Sequence, residues 1–282
     1  MVNEDRFLLE GIDLERPNAA RIYDWALGGT ANWAIDREFG EQALRRFPMV
    51  RTIAQLNRAF LGRAVRYATS CGITQFLDIG SGVPTVGNVH EVADAADGDS
   101  RCVYVDSEPV AVAHSRMLLE EHGDRHRHAV LHGDMRDVDD VWARALATGV
   151  LDPGKPIGLL MVAMLHFVPP KLDAHAAVAE YRELLPPGSC LILSHVTESG
   201  VPEAELEHLR PLVRQYDQSS TPASFRSHEE IAGFFGDFAL AEPGLVPIPD
   251  WVHEGDEPEP VTGLVPGSQM SCVLGGLGHK AP

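Results

Sequence analysis

Lysine is almost missing from this 282-residue chain: only Lys155, Lys171 and Lys280 occur, and all basic residues together number 23 against 41 acidic ones. The formal net charge is −18 with histidine neutral. Such a balance predicts a surface that repels a phosphate backbone, so nucleic acid is not an expected partner. Cysteine is scarce as well. Cys71, Cys102, Cys190 and Cys272 lie far apart, form no Cys-x-x-Cys pair, and fall in three cases within strand-like segments. That pattern predicts small buried thiols in a reducing cytosol and no disulfide or metal framework. Long apolar runs are also lacking: "IGLLMVAMLHFV" is far short of the roughly 18 residues a membrane span requires. The acidic start, "MVNEDRFLLEG", lacks the basic-then-apolar layout of a secretory signal. A cytoplasmic protein with no membrane partner is expected. Arginine, alanine, glycine and proline abound in their place, a bias that suggests a GC-rich bacterial genome. The hydrophobic fraction of 44% is enough for a sizeable core.

Residues 1–70 read as a mostly helical N-terminal extension with an irregular centre at "LGGTANW". The segment "NRAFLGRAVRYATSCG" sets Phe60, Leu61, Ala64, Val65 and Ala68 on one helical face and ends at Gly72, a C-terminal cap. From residue 71 a second domain is expected, running to 282. Apolar runs "TQFLDIG", "RCVYVD", "HAVLHGD", "GLLMVAM" and "SCLILSHV" alternate there with helical stretches, which implies βαβ units and a mainly parallel sheet. Near-continuous apolarity in the fourth and fifth runs suits central strands covered on both faces. "RSHEEIAGFFGDF" carries Ser227 and Glu230 at capping-box spacing. The last two apolar segments, "FALAEPGLVPI" and "MSCVLGGLG", have no crossover helix between them and should pair antiparallel. The intervening "HEGDEPEP" reads as a solvated loop.

The stretch "FLDIGSGVPT" ends an apolar strand at Asp78 and breaks into Gly80 and Gly82. Glycine lets backbone approach a ligand closely, and the following helix start offers unpaired N–H groups. A dinucleotide fingerprint would place a third glycine where Thr85 stands. Asp78 is placed to orient the loop and to answer a ligand's ammonium. Asp106, ending "CVYVD", is placed to accept ribose hydroxyls at the edge of the next strand, or to cap the following helix together with Ser107 ahead of Pro109. Asp134 and the backbone of Met135 follow the third strand, within reach of an adenine edge.

Asp78-x-Gly80-Ser81-Gly82, then Asp106, then Gly133-Asp134-Met135 resembles the motif ladder of class I S-adenosylmethionine-dependent methyltransferases. "LLPPGSCLILSH" resembles the turn and strand after the fourth helix of that fold. More narrowly, "PNAARIYDWALGGTANWAIDRE", "FLDIGSGVPTVGNVHEVA" and "VYVDSEPVAVAHSRMLL" are similar to a bacterial methyltransferase family catalogued as a domain of unknown function. Nearly the whole chain is covered. The resemblance implies a Rossmann-like α/β fold with a seven-stranded, mostly parallel sheet, order 3-2-1-4-5-7-6, the last strand antiparallel. It also implies S-adenosyl-L-methionine as cofactor. Pro84 stands where general methyltransferases often carry a third glycine, as in the narrower family.

Enzymes that methylate base amines usually carry Asp/Asn-Pro-Pro-aromatic after the fourth strand; here Leu165-His166-Phe167 stands there. A small-molecule acceptor, methylated on oxygen or nitrogen, is therefore expected. His166 is the candidate general base, with His195 a weaker one, and a purely structural role stands beside both. His122, His126, His128 and His132 straddle a helix end, a turn and a strand, so no metal site is expected of them. Tyr23, Trp25 and Trp33 around Gly28 and Gly29 suit either a lid with a sticky face, Tyr23 reaching the cofactor, or a helix pair packed on the sheet. A non-catalytic cofactor binder and a nicotinamide-dependent oxidoreductase are the alternatives.

Overall fold

The structure is a computed structural model that describes residues 12–85, 87–253, 255–256 and 272–282. Among the described residues, three helices come first: α1 (Ala19–Ala26), α2 (Ala34–Arg46) and α3 (Val50–Ser70). The Asn18 side chain accepts the Ala20 N–H and so caps α1. The long α3 buries Phe60, Leu61, Ala64, Val65 and Ala68 along the expected face. Gly72 ends it at φ +90°, a left-handed conformation that glycine adopts without a Cβ penalty.

Strand and helix then alternate: β1 (Gln75–Ile79), α4 (Val89–Ala96), β2 (Arg101–Asp106), α5 (Pro109–His122), β3 (His128–His132), α6 (Val138–Ala147), β4 (Gly158–Val162), α7 (Ala174–Leu184) and β5 (Cys190–Val196). The chain closes with α8 (Glu203–Gln215), α9 (His228–Gly233), β6 (Ala239–Leu240), β7 (Val246–Pro247) and β8 (Val273–His279). Ser227 and Glu230 form the expected capping box on α9.

The sheet order is β3-β2-β1-β4-β5-β8-β6, with β7 also paired to β8. β1 to β5 run parallel, and β8 runs antiparallel to β5, β6 and β7. This is the expected topology with one correction: eight strands replace seven. The segment "FALAEPGLVPI" was read as one strand, but it makes two short ones. Pro243 has no N–H to donate and Gly244 sits at φ +95°, so the chain leaves the sheet edge after Leu240 and rejoins it at Val246. Of the "HEGDEPEP" loop, His253, Gly255 and Asp256 are described; the first 11 residues lie outside the described residues.

Alternate residues of the central strands feed two cores. Leu160 and Ile192 pack with α3 on one face, while Leu159, Met161, Leu191 and Leu193 pack with α6 and α7 on the other. Strand order reverses between β1 and β4, and in sheets of this kind ligands sit outside the carboxyl ends of the strands at that reversal. Among the described residues, no helix is long and apolar enough to cross a membrane.

Candidate functional site

A cavity of about 500 Å³ opens at that reversal, and the predicted residues Asp78, Gly80, Ser81, Gly82, Asp106, Ser107, Asp134, Met135, Tyr23 and His166 all border it. Sequence spacing alone could not bring them together, since they come from α1 and from the ends of β1, β2, β3 and β4.

The turn after β1 explains its glycines. Gly80 sits at φ +71°, and a Cβ there would lie 2.6 Å from the Met164 Cβ. Its N–H and that of Ser81 donate to the Val105 carbonyl at 2.8 and 3.2 Å, which ties the turn to β2. Gly82, at φ +68°, donates its N–H to Asp106 Oδ2 at 2.7 Å. Asp106 Oδ1 accepts the Glu108 N–H at 2.8 Å. The expected cap is thereby corrected. Glu108 is the N-cap residue of α5, with Pro109 in the first turn, and Asp106 ties the loops at the cavity instead. With a third backbone hydrogen bond from Ser107, one of the carboxylate's four lone-pair sites remains to take a hydroxyl.

Asp78 is buried at the end of β1. Burial pushes its carboxyl up to about 7; the Arg58 guanidinium opposes the rise and the Asp106 charge adds to it. Asp106 is raised as well, chiefly by burial, against backbone hydrogen bonds from Glu108, Gly82 and Ser107. Two buried carboxylates side by side favour a cationic, hydroxyl-rich guest. Asp134 is pinned by Arg136, whose guanidinium and backbone N–H both donate to it and hold it below the usual carboxylate range. The Gly133 N–H donates to the Asp106 carbonyl at 3.0 Å, which keeps that third turn beside the second.

The N-terminal helices form the opposite wall. Tyr23 donates to the Ala54 carbonyl and accepts from Asn57 Nδ2, each at 3.0 Å. Asn57 Oδ1 accepts from Ser194 Oγ at 2.6 Å, and Ser194 Oγ accepts the Ala163 N–H at 2.9 Å. Ala163 is left-handed, φ +54°, a strained corner where β4 meets the cavity. Arg21 was not foreseen. Fully buried, it donates to Asp36 at 2.8 Å and to Glu108 at 3.0 Å, with further bonds to the Asp13 and Arg16 carbonyls. The one available signal was an arginine among the apolar residues of "NAARIYDWA", with Asp24 buried beside it.

His166 lies in a short turn (Leu165–Phe167) and is 7% exposed. Burial, helped by His195 and Arg226, holds its ring well below the ordinary histidine range, so it is neutral at pH 7. Its Nδ1 has no hydrogen-bond partner. His195 is removed from the chemistry. It is fully buried, its Nδ1 meets the Val196 carbonyl at 2.7 Å, and Arg226 donates to its Nε2 at 2.8 Å. Those partners define a neutral strut, and burial lowers its pKa to about 3. Of the remaining histidine series, His128 is buried against Asp94, while His122, His126 and His132 point outward. Among the described residues, no group of three His, Cys, Asp or Glu side chains could hold a metal ion.

A doubly wound sheet with a left-handed glycine turn after its first strand, a carboxylate ending its second and an antiparallel β8 inserted between β5 and β6 has the architecture of the class I S-adenosylmethionine-binding fold. The chain matches the S-adenosyl methyltransferase family model over residues 7–281, and it belongs to that family. It is 35% identical to a methyltransferase candidate from Thermobifida fusca YX, with a TM-score of 0.84 over 100% of both chains. It is 32% identical to a DUF574 family protein of Streptomyces avermitilis MA-4680, again at TM-score 0.84, over 95% of this chain and 98% of that one. No curated protein matches. The chain is therefore an S-adenosylmethionine-dependent methyltransferase, and the nicotinamide alternative falls. The residues fit that cofactor: a turn where a Cβ would intrude, and a buried carboxylate whose proton affinity burial raises despite the Arg58 guanidinium.

Proposed function

We propose that the enzyme moves a methyl group to an oxygen or nitrogen atom of a small molecule seated between the cofactor turns and the helical wall. The observation that carries this reading is the continuity of the cavity, which runs from the glycine turn to apolar side chains on α1, α3 and α8. S-adenosylmethionine supplies a methyl carbon on a sulfonium, an electrophile that an acceptor's lone pair can displace in line. Asp78 faces the cofactor's ammonium. The backbone of Gly80, Ser81 and Gly82 admits its carboxylate end, Asp106 and Ser107 take the ribose, and Asp134 with the Met135 N–H reads the adenine edge. Tyr23 closes the cavity from the N-terminal side. Positioning and exclusion of water do most of the work in such a displacement.

His166 is the proton acceptor in this reading. Being neutral at pH 7, it has a lone pair to offer to the acceptor's proton. The formal net charge is −18 and the sequence lacks the amine-methylation motif, which favours a small molecule over a nucleic acid. Calorimetric titration with S-adenosylhomocysteine tests the cofactor half, with micromolar binding expected. The pH–rate profile tests His166. Its acid limb should fall below pH 6.5, and a limb that stays in place in His166→Ala would return the residue to a structural role.

A further inference from the structure

Charge is confined to one side of the cavity. Arg58, Asp78, Asp106, Glu108, Asp134 and Arg136 line it, and all sit at or against the carboxyl ends of β1, β2 and β3, with Arg58 reaching from α3 toward Asp78. The other side lies over β4, β5 and β8. There α8 contributes Leu209, Leu212 and Val213, while α1 and α3 contribute Ile22, Ala26 and Ile53. Among the described residues, nothing on that side is an acid, a lysine or an arginine. Its titratable groups are neutral at pH 7: burial lowers His166 and raises Tyr23, Tyr216 and Cys272. Phe167 and Tyr216 stand 5.4 Å apart, tilted by 49°, and Phe39 braces Tyr216 edge-on at 5.0 Å.

A carboxylate, phosphate or ammonium placed on this side would lose its water and meet no charged side chain in the lining, the buried Arg226 guanidinium behind His166 being taken up by the Leu165 and Val168 carbonyls and His195. A flat ring loses little on leaving water and gains contact with the aromatic pair. The hydroxyl of Tyr23 is already engaged by Ala54 and Asn57. His166 is left as the acceptor for a group with one hydrogen to give.

We infer that the methyl acceptor is an uncharged aromatic alcohol, a phenol-like hydroxyl on a flat apolar ring, which makes the enzyme an O-methyltransferase. The inference rests on the methyl-transfer reading above. In the balanced reaction the hydroxyl oxygen forms the new O–C bond, the C–S electron pair returns to sulfur, and the hydroxyl proton leaves by way of His166 to solvent. The products are the methyl ether, S-adenosylhomocysteine and one proton.

Three probes that share one ring system test it: 2-naphthol, 2-naphthoate and the protonated 2-naphthylmethylamine. Each is titrated into the full chain saturated with S-adenosylhomocysteine, and each is then incubated with methyl-tritiated S-adenosylmethionine. 2-Naphthol should bind at least tenfold more tightly than either charged probe and should alone yield a labelled ether. Leu212→Asp should weaken 2-naphthol at least tenfold while S-adenosylhomocysteine binding stays within about twofold. Equal or tighter binding of a charged probe overturns the inference, and so does a normal S-adenosylhomocysteine titration in which no probe binds. Failure of S-adenosylhomocysteine itself to bind overturns the methyl-transfer reading along with it.

Discussion

Asp78→Asn should make the ligand-free protein more stable and at the same time a poorer binder. Burial holds the Asp78 carboxyl at about 7, against 3.8 for a free side chain. The folded state therefore keeps its proton up to about pH 7, while the unfolded chain loses it near 3.8. Because the folded state binds more protons, the stability contributed by this group falls as pH rises across that window and levels off above it. The full difference is about 4 kcal/mol, at about 1.4 kcal/mol for each tenfold change in proton affinity. An amide of the same shape carries no such cost. The gap between variant and parent should thus open from near zero at pH 4 to about 4 kcal/mol at pH 8, or about 10 °C in Tm for a chain of this size. Binding should move the other way. Loss of a charge-assisted bond worth about 1.5–3 kcal/mol weakens S-adenosylhomocysteine roughly 10- to 150-fold. At pH 6 the parent should also release about one proton on binding, read by calorimetry in two buffers of different ionisation heat, and the variant none. A pH 8 melt that does not rise, or an affinity left unchanged, would refute the reasoning about Asp78.

Asp106→Ala should weaken S-adenosylhomocysteine roughly 30- to 1,000-fold and also lower Tm, because the Gly82 and Glu108 N–H groups lose their acceptor; near-parental affinity in Asp106→Asn would leave the residue a loop tie only. Gly80→Ala places a Cβ against Met164 at a left-handed φ and should abolish binding measurable by calorimetry, with a folded far-UV spectrum retained. Arg21→Ala strands the buried Asp36 carboxylate and should cost about 3–5 kcal/mol in chemical denaturation; Arg21→Lys should recover little, since an ammonium cannot fork between Asp36 and Glu108. If residues 21–37 close over the cofactor as a lid, amide exchange there should slow on adding S-adenosylhomocysteine. Unchanged exchange at saturation would make them a fixed wall.

Much of the sheet was legible because its strands announce themselves locally. β4 and β5 are apolar at nearly every position, which only strands covered on both faces require, and Asp78 to Gly82 breaks that rhythm in one specific way. The terminal pair was less legible. Antiparallel pairing followed from the missing crossover, but the interruption around Pro243 and Gly244 depends on where the edge of a sheet runs, and no local pattern carries that. Asp106 was visible as an acidic strand end, yet its bond to Gly82 joins residues 24 apart. His195 shows the same limit from the other side. A histidine ending a strand reads as a possible base, and only Arg226, 31 residues on, fills its lone pair.

The Arg21 cluster bears on why the N-terminal segment accompanies this fold. Asp36, on α2, is fully buried and accepts from Arg21 and from the backbone N–H groups of Asn18 and Trp33. One carboxylate thus fixes the start of α1 to the start of α2. Through its other arm Arg21 holds Glu108, whose own N–H is held by Asp106, which in turn holds Gly82. The wall carrying Ile22 and Tyr23 is therefore connected, bond by bond, to the turn where we propose the cofactor binds. Breaking one link leaves a buried charge or N–H without a partner, so the links stand or fall together. A cofactor that strengthens the Asp106 end also favours the arrangement in which the apolar wall faces the acceptor. Water would then be kept from the sulfonium only once both walls are in place. That requirement explains why an apolar helix and a buried arginine occur in the same eight-residue element.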